Sequence, residues 1–440
     1  MSMSGPRLFG LRIRPPTIVL ALLCAMYFLM FINRTNIAIA GPLMQADLHL
    51  SNTQLGLAFS AFAYPYALFQ LFGGMLGDKF GPRMTLAICA GIVFLATAWI
   101  GLAGGLASLF LARILLGIGE GAAFPTATRA MAVWTPMGNW SFAQGITHTF
   151  SRVGNWATAL IVAPLIYWLS WRASFYLLAP VNLIWLAVWV WYFRDRPNDH
   201  SGVTPDDIAK LPVRARGDNK RKIPWLRLAR FILPVTCVDF CYGWTLWLFQ
   251  NWIPSFFVQN YGLNLNRTAI FTAGVLFAGI VGDTLGGVVS DAILKRTGNL
   301  VTARRSVIMA GFIGSFIFMI PVILFHDLTI AAICLSLVFF FSELIVAPIW
   351  AVPMDIAPRY AGTASGMMNF GFGFAGIVSP LFFGYMIDLT GTWTVPFLVS
   401  IGLLLLGAVL AFYLRPDRPF IEDDDAPPRA ILHGERASAV

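Results

Sequence analysis

The sequence predicts an all-α membrane protein of twelve transmembrane helices, arranged as two pseudo-symmetric bundles of six. Three observations carry this expectation. The 440 residues are 58% hydrophobic and only 12% charged, with a mean hydropathy of +0.73, whereas soluble domains carry roughly 25% charge. The apolar residues gather in twelve runs, each long enough to cross about 30 Å of hydrocarbon. One long polar stretch, 194–229, divides these runs into two sets of six. The physical cause is the absence of water in lipid, which favours long apolar helices that satisfy their own backbone.

The first run, 17–40, has no small-residue cleavage pattern after it and reads as a retained span. It carries Arg34 in FINRTNIAIA, in the outer half of the span. An arginine there either snorkels to the interface or faces a cavity. The second run, 53–76, places Tyr66 and Gln70 one turn apart beside Pro65, where a kink is expected. Both side chains can donate to a carboxylate without adding charge, and both are equally explained by packing. The third run is 84–104. The fourth, 106–131, holds the apolar, glycine-rich stretch LARILLGIGEGAAFPT with two charges, Arg113 and Glu120. They lie seven residues apart, so they share one face, about 10 Å apart along the axis. Arg113 is near enough to the outer end to snorkel. Glu120 is near mid-span and has no such escape. A carboxylate there either pairs permanently with an arginine or takes up a proton, because burial penalises its charge.

The fifth run, 141–169, carries Arg152 in THTFSRVGNW, eleven residues into the span and the arginine least able to snorkel. His148 lies one turn earlier on the same face, where an ordinary hydrogen-bonded helix histidine is the favoured explanation. The sixth run is 172–193. The second set covers 230–259, 267–292, 304–325, 329–353, 361–388 and 393–414. Within or near these spans lie Asp239, Asp283 and Glu343, and Gln250, Asn251, Trp350 and Asn369 are candidate cavity residues. Asp283 is expected to be structural, and Asp355 with Arg359 to form a helix-end pair. Asp239 and Glu343 have no assignable direction, because these helices are apolar all round.

The expected organisation is therefore a six-helix bundle over 1–193, a cytoplasmic linker over 194–229, a second bundle over 230–415 and a cytoplasmic tail over 416–440. With both termini inside, Arg172 and Arg267 are the only lysine or arginine residues in outer loops. Nearly all the others fall on the inner side, which fixes the expected topology. The net charge of +9 is thereby explained, and nucleic acid is not an expected partner. The five cysteines all lie in apolar segments without a CxxC pair, so neither disulfide framework nor metal site is expected. No Walker A, GxSxG or HExxH pattern occurs, which argues against ATP drive and hydrolysis. No catalytic residue and no cofactor is expected.

The two halves carry related inner loops. After the second span the chain reads GGMLGDKFGPR, Gly73–Arg83, and after the eighth GGVVSDAILKR, Gly286–Arg296. Each has a glycine four residues before an aspartate, Gly74 with Asp78 and Gly287 with Asp291, followed by basic residues. Glycine lets helices approach and the aspartate can pair with a base or helix N-terminus. Gly74, Asp78 and Arg83 are the gating candidates.

Twelve spans in two parallel repeats, a long central inner loop and GGxxGDxxGxR after the second span resemble the major facilitator superfamily over residues 15–415. Within it the chain is similar to the anion:cation symporter family, which includes bacterial tartrate, phthalate and sugar-acid permeases. The matching pieces are NRTNIAIA, FSAFAYPYALFQLFGG, ARILLGIGEGAAFPT and RDRPNDHSGVTPDD. The resemblance implies that Arg34 binds a substrate carboxylate, helped by Tyr66. It implies that Arg113 and Glu120 form the fourth-span charged pair, with Glu120 in proton coupling, and that Trp350 and Asn369 contact substrate. Two departures stand out. Asn33 replaces an aspartate that carries a proton in many members. Arg152 replaces a neutral fifth-span donor. Taking Arg34, Arg113 and Arg152 against Glu120 gives a first-half cavity of net +2, which favours a dianion.

The expected activity is proton-coupled import of a small organic anion, a tartrate-like dicarboxylate first, by a monomer in the bacterial inner membrane. Arg34, Tyr66, Arg152, Gln250, Trp350 and Asn369 would contact substrate. Glu120 would alternate between protonation and pairing with Arg113 or Arg34. Alternatives are anion exchange or uniport, transport of sugar acids or phthalate-like acids, multidrug export and a non-transporting sensor.

Overall fold

In the computed structural model, residues 7–8, 11–12, 14–136, 140–211, 224–357 and 361–420 are described. A two-stranded hairpin, β1 (Arg7–Leu8) and β2 (Leu11–Arg12), precedes the helices. The first bundle is α1 (Pro15–Asp47), α2 (Asn52–Phe80), α3 (Pro82–Leu102), α4 (Leu106–Trp134), α5 (Trp140–Trp168) and α6 (Trp171–Tyr192). A 3₁₀ turn at Pro197–Asp199 and a short α7 (Pro205–Lys210) lie in the linker, and residues 212–223 of it are outside the described set. The second bundle is α8 (Trp225–Asn251), α9 (Ile253–Tyr261), α10 (Leu265–Thr297), α11 (Leu300–Leu324), α12 (Leu328–Leu344), α13 (Val346–Ile356), α14 (Ala361–Thr390) and α15 (Thr394–Phe412). The tail beyond residue 420 also lies outside the described residues.

Among the described residues, ten stretches are long and apolar enough to cross a membrane. Helices α2 and α5, each of 29 residues, occupy the second and fifth expected spans. Their outward faces carry large apolar side chains, Leu68 and Phe72 on α2 and Leu160 and Ile161 on α5, as a lipid-facing surface requires.

The packing repeats between halves. In the first, α1 packs on α5, α2 on α4, and α3 on α6. In the second, α8 packs on α14, α10 on α12, and α11 on α15. The halves meet mainly through α2 on α14 and α5 on α10.

Two expected spans are each broken in two. The seventh divides at Trp252 into α8 and α9, and the tenth divides at Ile345 into α12 and α13. Pro254 and Pro348 follow the breaks by two and three residues. Proline has no N–H to donate one turn back, so the carbonyls of Gln250 and Leu344 lose their usual partners. The breaks thus fall beside Gln250 and Glu343. By contrast, α1 runs on through Pro42 to Asp47, past the expected end of the first span.

The halves are latched at the end remote from the chain termini. Asp388, near the end of α14, accepts from the Asn52 backbone N–H (3.1 Å) and Nδ2 (2.9 Å) and from the Thr53 backbone N–H (2.6 Å). A carboxylate there caps the orphan donors and positive end of α2. Gln259 on α9 adds a bond to Asn52 Oδ1 at 2.9 Å.

Candidate functional site

The first charged centre is Arg34 with Glu120. Arg34 Nε and Nη2 donate to Glu120 Oε2 at 3.1 and 2.8 Å, and both side chains are buried. The guanidinium carbon lies 4.7 Å from the Phe31 ring centroid, 4.8 Å from Phe62, 4.7 Å from Tyr66 and 5.8 Å from Phe124. A charge removed from water is thus met by one carboxylate and four ring faces, which attract cations through their quadrupoles. Glu120 Oε1 makes no hydrogen bond to the protein.

Glycine sets this geometry. A Cβ on Gly117 would lie 2.2 Å from the Phe62 carbonyl oxygen, and one on Gly121 3.0 Å from that of Tyr66. Bare backbone at both positions lets α4 press against α2 and carry Glu120 to Arg34 on α1.

Arg113 does not pair with Glu120, contrary to the sequence expectation. Its Nε and Nη2 donate to the Ala58 and Phe59 carbonyl oxygens of α2, each at 3.3 Å. It shares a face with Glu120, but α2 passes so close that its carbonyls take the guanidinium first. The expected alternation of Glu120 between two arginines reduces to one pair.

Arg152 forms the second charged centre. It reaches out of α5 into the other half, with Nε 3.4 Å from Asp283 Oδ2 on α10 and Nη2 3.0 Å from Glu343 Oε2 on α12. Asp283 is therefore an ion-pair partner across the halves rather than a local structural acid. The cavity charge changes with it. Three arginines, Arg34, Arg113 and Arg152, stand against three carboxylates, Glu120, Asp283 and Glu343, so the formal balance is zero in place of +2.

Around this centre, Asp239 on α8 is buried with Oδ2 unbonded, and Tyr242, one turn on, is buried with its hydroxyl unbonded. His148 lies one turn from Arg152, its ring 6.2 Å from that of Trp350 on α13 and 5.7 Å from that of Tyr27. Gln250 is buried with neither amide atom bonded to the protein. Asn369 is buried on α14, three residues before Phe372, which stacks on Tyr242 at 6.1 Å. Asn33 points away from both centres, donating to Asn182 Oδ1 on α6 at 3.0 Å.

The gating candidates have separate outcomes. The surroundings of Gly74 and the side chain of Asp78 lie outside the described set. Arg83 ties its loop to its own half: Nε and Nη2 donate to the Val190 carbonyl oxygen at 3.2 and 2.6 Å, and its backbone N–H donates to Asp195 at 2.9 Å. The expected Asp355–Arg359 pair involves Arg359, which lies outside the described residues. Asp355 accepts from Arg304 Nε at 3.0 Å, while Arg304 Nη1 donates to Asp291 at 3.2 Å.

Residues 23–380 and 303–434 match the sequence family described as Major Facilitator Superfamily. The chain belongs to the Major Facilitator Superfamily. It is 47% identical over 409 residues to a probable sulfoacetate transporter from Cupriavidus necator, covering 92% of this chain and 95% of that protein. It is 30% identical over 393 residues to a hexuronate transporter from Bacillus subtilis, covering 88% of this chain and 92% of that one. A solved bacterial homologue of the human lysosomal transporter Spinster, inward-facing and occupied, has the same fold. Its TM-score is 0.75 at 19% identity, with 92% of this chain and 97% of that chain covered. Relatives and fold are those of superfamily transporters, not enzymes.

Glu343 is a residue that the sequence left without a direction, and Asp283 one that it expected to be structural. A signal for Glu343 was present. Glu120 stands fourteen residues after Leu106, the start of α4, and Glu343 fifteen after Leu328, the start of α12. Each is in the fourth span of its half.

Proposed function

We propose that this protein imports a small organic anion bearing two acidic groups, coupled to protons moving inward. The carrying observation is Arg34 held by Glu120, a buried pair whose carboxylate has one oxygen free of hydrogen bonds. A buried arginine neutralised by a carboxylate cannot hold an anion strongly. Once a proton neutralises the glutamate, the guanidinium is available to a substrate acid group at no net cost in buried charge. Substrate and proton then depend on one another, and the halves alternate around them.

The substrate class draws on the relatives. The 47%-identical relative is named for sulfoacetate, a carboxylate and a sulfonate on one carbon, and other relatives are named for hexuronate and galactarate or D-glucarate. Small dianions, sulfoacetate first and tartrate-like dicarboxylates next, fit two arginines, Arg34 and Arg152, each freed from its own carboxylates. Tyr66, Gln250, Trp350 and Asn369 would contact the rest of the molecule. The protein would work as a monomer in the bacterial inner membrane with both termini cytoplasmic. One observation favours a second reading, exchange without protons. The neutral Asn33–Asn182 pair occupies the position where an acid would titrate.

The test is uptake of sulfoacetate and tartrate by proteoliposomes under an imposed pH gradient. Wild type should accumulate one of them and Glu120→Gln should not. Accumulation by Glu120→Gln at the wild-type level would remove Glu120 from coupling. A wild type indifferent to the gradient would favour exchange.

A further inference from the structure

The cluster around Arg152 holds more acid than base. Among the described residues, the ionised groups that pair with Arg152 are carboxylates. Opposite stand Asp283 on α10 and Glu343 on α12, with contacts of 3.4 and 3.0 Å. Asp239 and Tyr242 on α8 and His148 on α5 complete the titratable neighbours. The Arg152, Asp283 and Glu343 side chains are 9%, 16% and 0% exposed. With both partner carboxylates ionised and His148 neutral, the trio carries one negative charge in excess. Uncompensated charge in such a place is costly, and a bound proton removes the excess.

Three further features single out Glu343 as the group that takes that proton. Neither of its oxygens has an aligned hydrogen bond, although Oε2 is within ion-pair reach of Arg152. It lies at nearly the same distance along the fourth span of its half as Glu120 does in the first, fifteen residues from the helix start against fourteen. Each glutamate faces an arginine, Arg34 in one case and Arg152 in the other. Its helix ends just beyond it, where the Ile345 N–H bonds to the Ser342 carbonyl at 3.2 Å, a tightened turn before the chain resumes as α13. A helix end can shift its last side chains more easily than a continuous helix can.

The location adds a mechanical consequence. The Arg34–Glu120 pair lies within one bundle, whereas Arg152 belongs to the first bundle and both its partners to the second. Any rocking that parts α5 from α10 must break these contacts.

We propose that Glu343, with Asp283 beside it, is a second proton acceptor, and that its protonation frees Arg152 for the second acid group of the substrate while loosening the tie between the halves. The inference rests on the proton-coupled reading above and extends it. The proton comes from water on whichever side is open and converts carboxylate to carboxylic acid. Arg152 then exchanges Glu343 for the substrate acid group and keeps Asp283, so the net charge of the centre is the same before and after. Two arginine–carboxylate centres, each releasing one guanidinium per proton, match a substrate with two negative charges.

Two measurements on the full-length protein test this. The first needs no substrate: infrared titration of the carboxyl band in purified wild type, Glu120→Gln, Glu343→Gln and Asp283→Asn. The expected result is a protonatable carboxyl that persists in Glu120→Gln and disappears in Glu343→Gln. A titration identical in wild type, Glu343→Gln and Asp283→Asn would overturn the proposal. The second is the number of protons carried per sulfoacetate, read in proteoliposomes from the substrate gradient that balances an imposed pH gradient. Glu343→Gln should carry one fewer, so its accumulation should fall by about tenfold for each pH unit imposed at zero membrane potential. Glu343→Asp should restore part of it, which a merely structural role would not explain. An unchanged proton count in Glu343→Gln overturns the proposal, and so does wild-type accumulation that follows sodium at fixed pH. If wild type moves no protons at all, the function proposed above falls, while the infrared titration still decides whether Glu343 takes up a proton.

Discussion

Arg34–Glu120 and Arg152–Glu343–Asp283 use the same chemistry in different mechanical settings. The first joins α1 to α4 inside one bundle, wrapped by four aromatic rings. It can keep its geometry while the bundle moves as a body. The second joins α5 to α10 and α12 across the two bundles and has an excess of acid. It cannot survive separation of those helices. An ion pair is therefore a local switch or an inter-bundle tie according to which helices carry it, and the residue types alone do not distinguish the two.

The most damaging way to test the contrast is Arg152→Gln. It leaves Glu343 and Asp283 buried without their cation, a loss of about 3–5 kcal/mol for breaking a buried pair. The expected outcome is a lower melting temperature in thermal unfolding together with wider spacing between spin labels on α5 and α10. Arg34→Lys attacks the other centre. Lysine offers a point charge in place of a planar fork; losing one charged hydrogen bond of about 1.5–3 kcal/mol should lower uptake roughly 10- to 100-fold, while the α5–α10 spacing stays as in wild type. Gly117→Val keeps both charges but pushes α4 away from α2, where a Cβ would meet the Phe62 carbonyl at 2.2 Å. Overpacking of this kind costs about 1–3 kcal/mol. Thermal unfolding should register that loss, and uptake should fall as Glu120 is drawn from Arg34.

Two weaker changes sharpen the comparison. Asp388→Asn weakens the cap on α2 that latches the halves at the end remote from the termini. A cap or dipole contact of this sort contributes about 0.5–2 kcal/mol. Spin labels at Ala46 and Thr392 should move apart in a larger share of molecules. Arg83→Ala removes two hydrogen bonds that stay within the first bundle. It should cost about 1 kcal/mol of stability and leave the Ala46–Thr392 distance distribution unchanged. A shift there would make Arg83 part of the inter-bundle mechanism.

Much of the site was legible one residue at a time. Arg34, Glu120 and Arg152 stood out as charges in apolar helices, where solvation is expensive. Their partners did not. Arg113 and Glu120 share a face of α4, and spacing pointed to a common role, yet the closeness of α2 gives Arg113 two backbone carbonyls. Arg152 looked like an uncompensated charge because its carboxylates lie 131 and 191 positions further along the chain, in helices with no polar face to indicate their direction.

The sequence by itself determined that the chain is built of long apolar helices, which charges lie inside them, and the family. These follow from composition and segment length, because lipid penalises unsatisfied polar groups wherever they occur. Only the tertiary structure decided which charge meets which. It reduced the supposed net +2 of the cavity to zero, took Asn33 out of the site to pair with Asn182, and made Arg152 the tie between bundles. A helix that is apolar all round does not specify its own rotation. That is settled by close backbone approaches such as Gly117 on Phe62, and by the cost of leaving a buried charge alone.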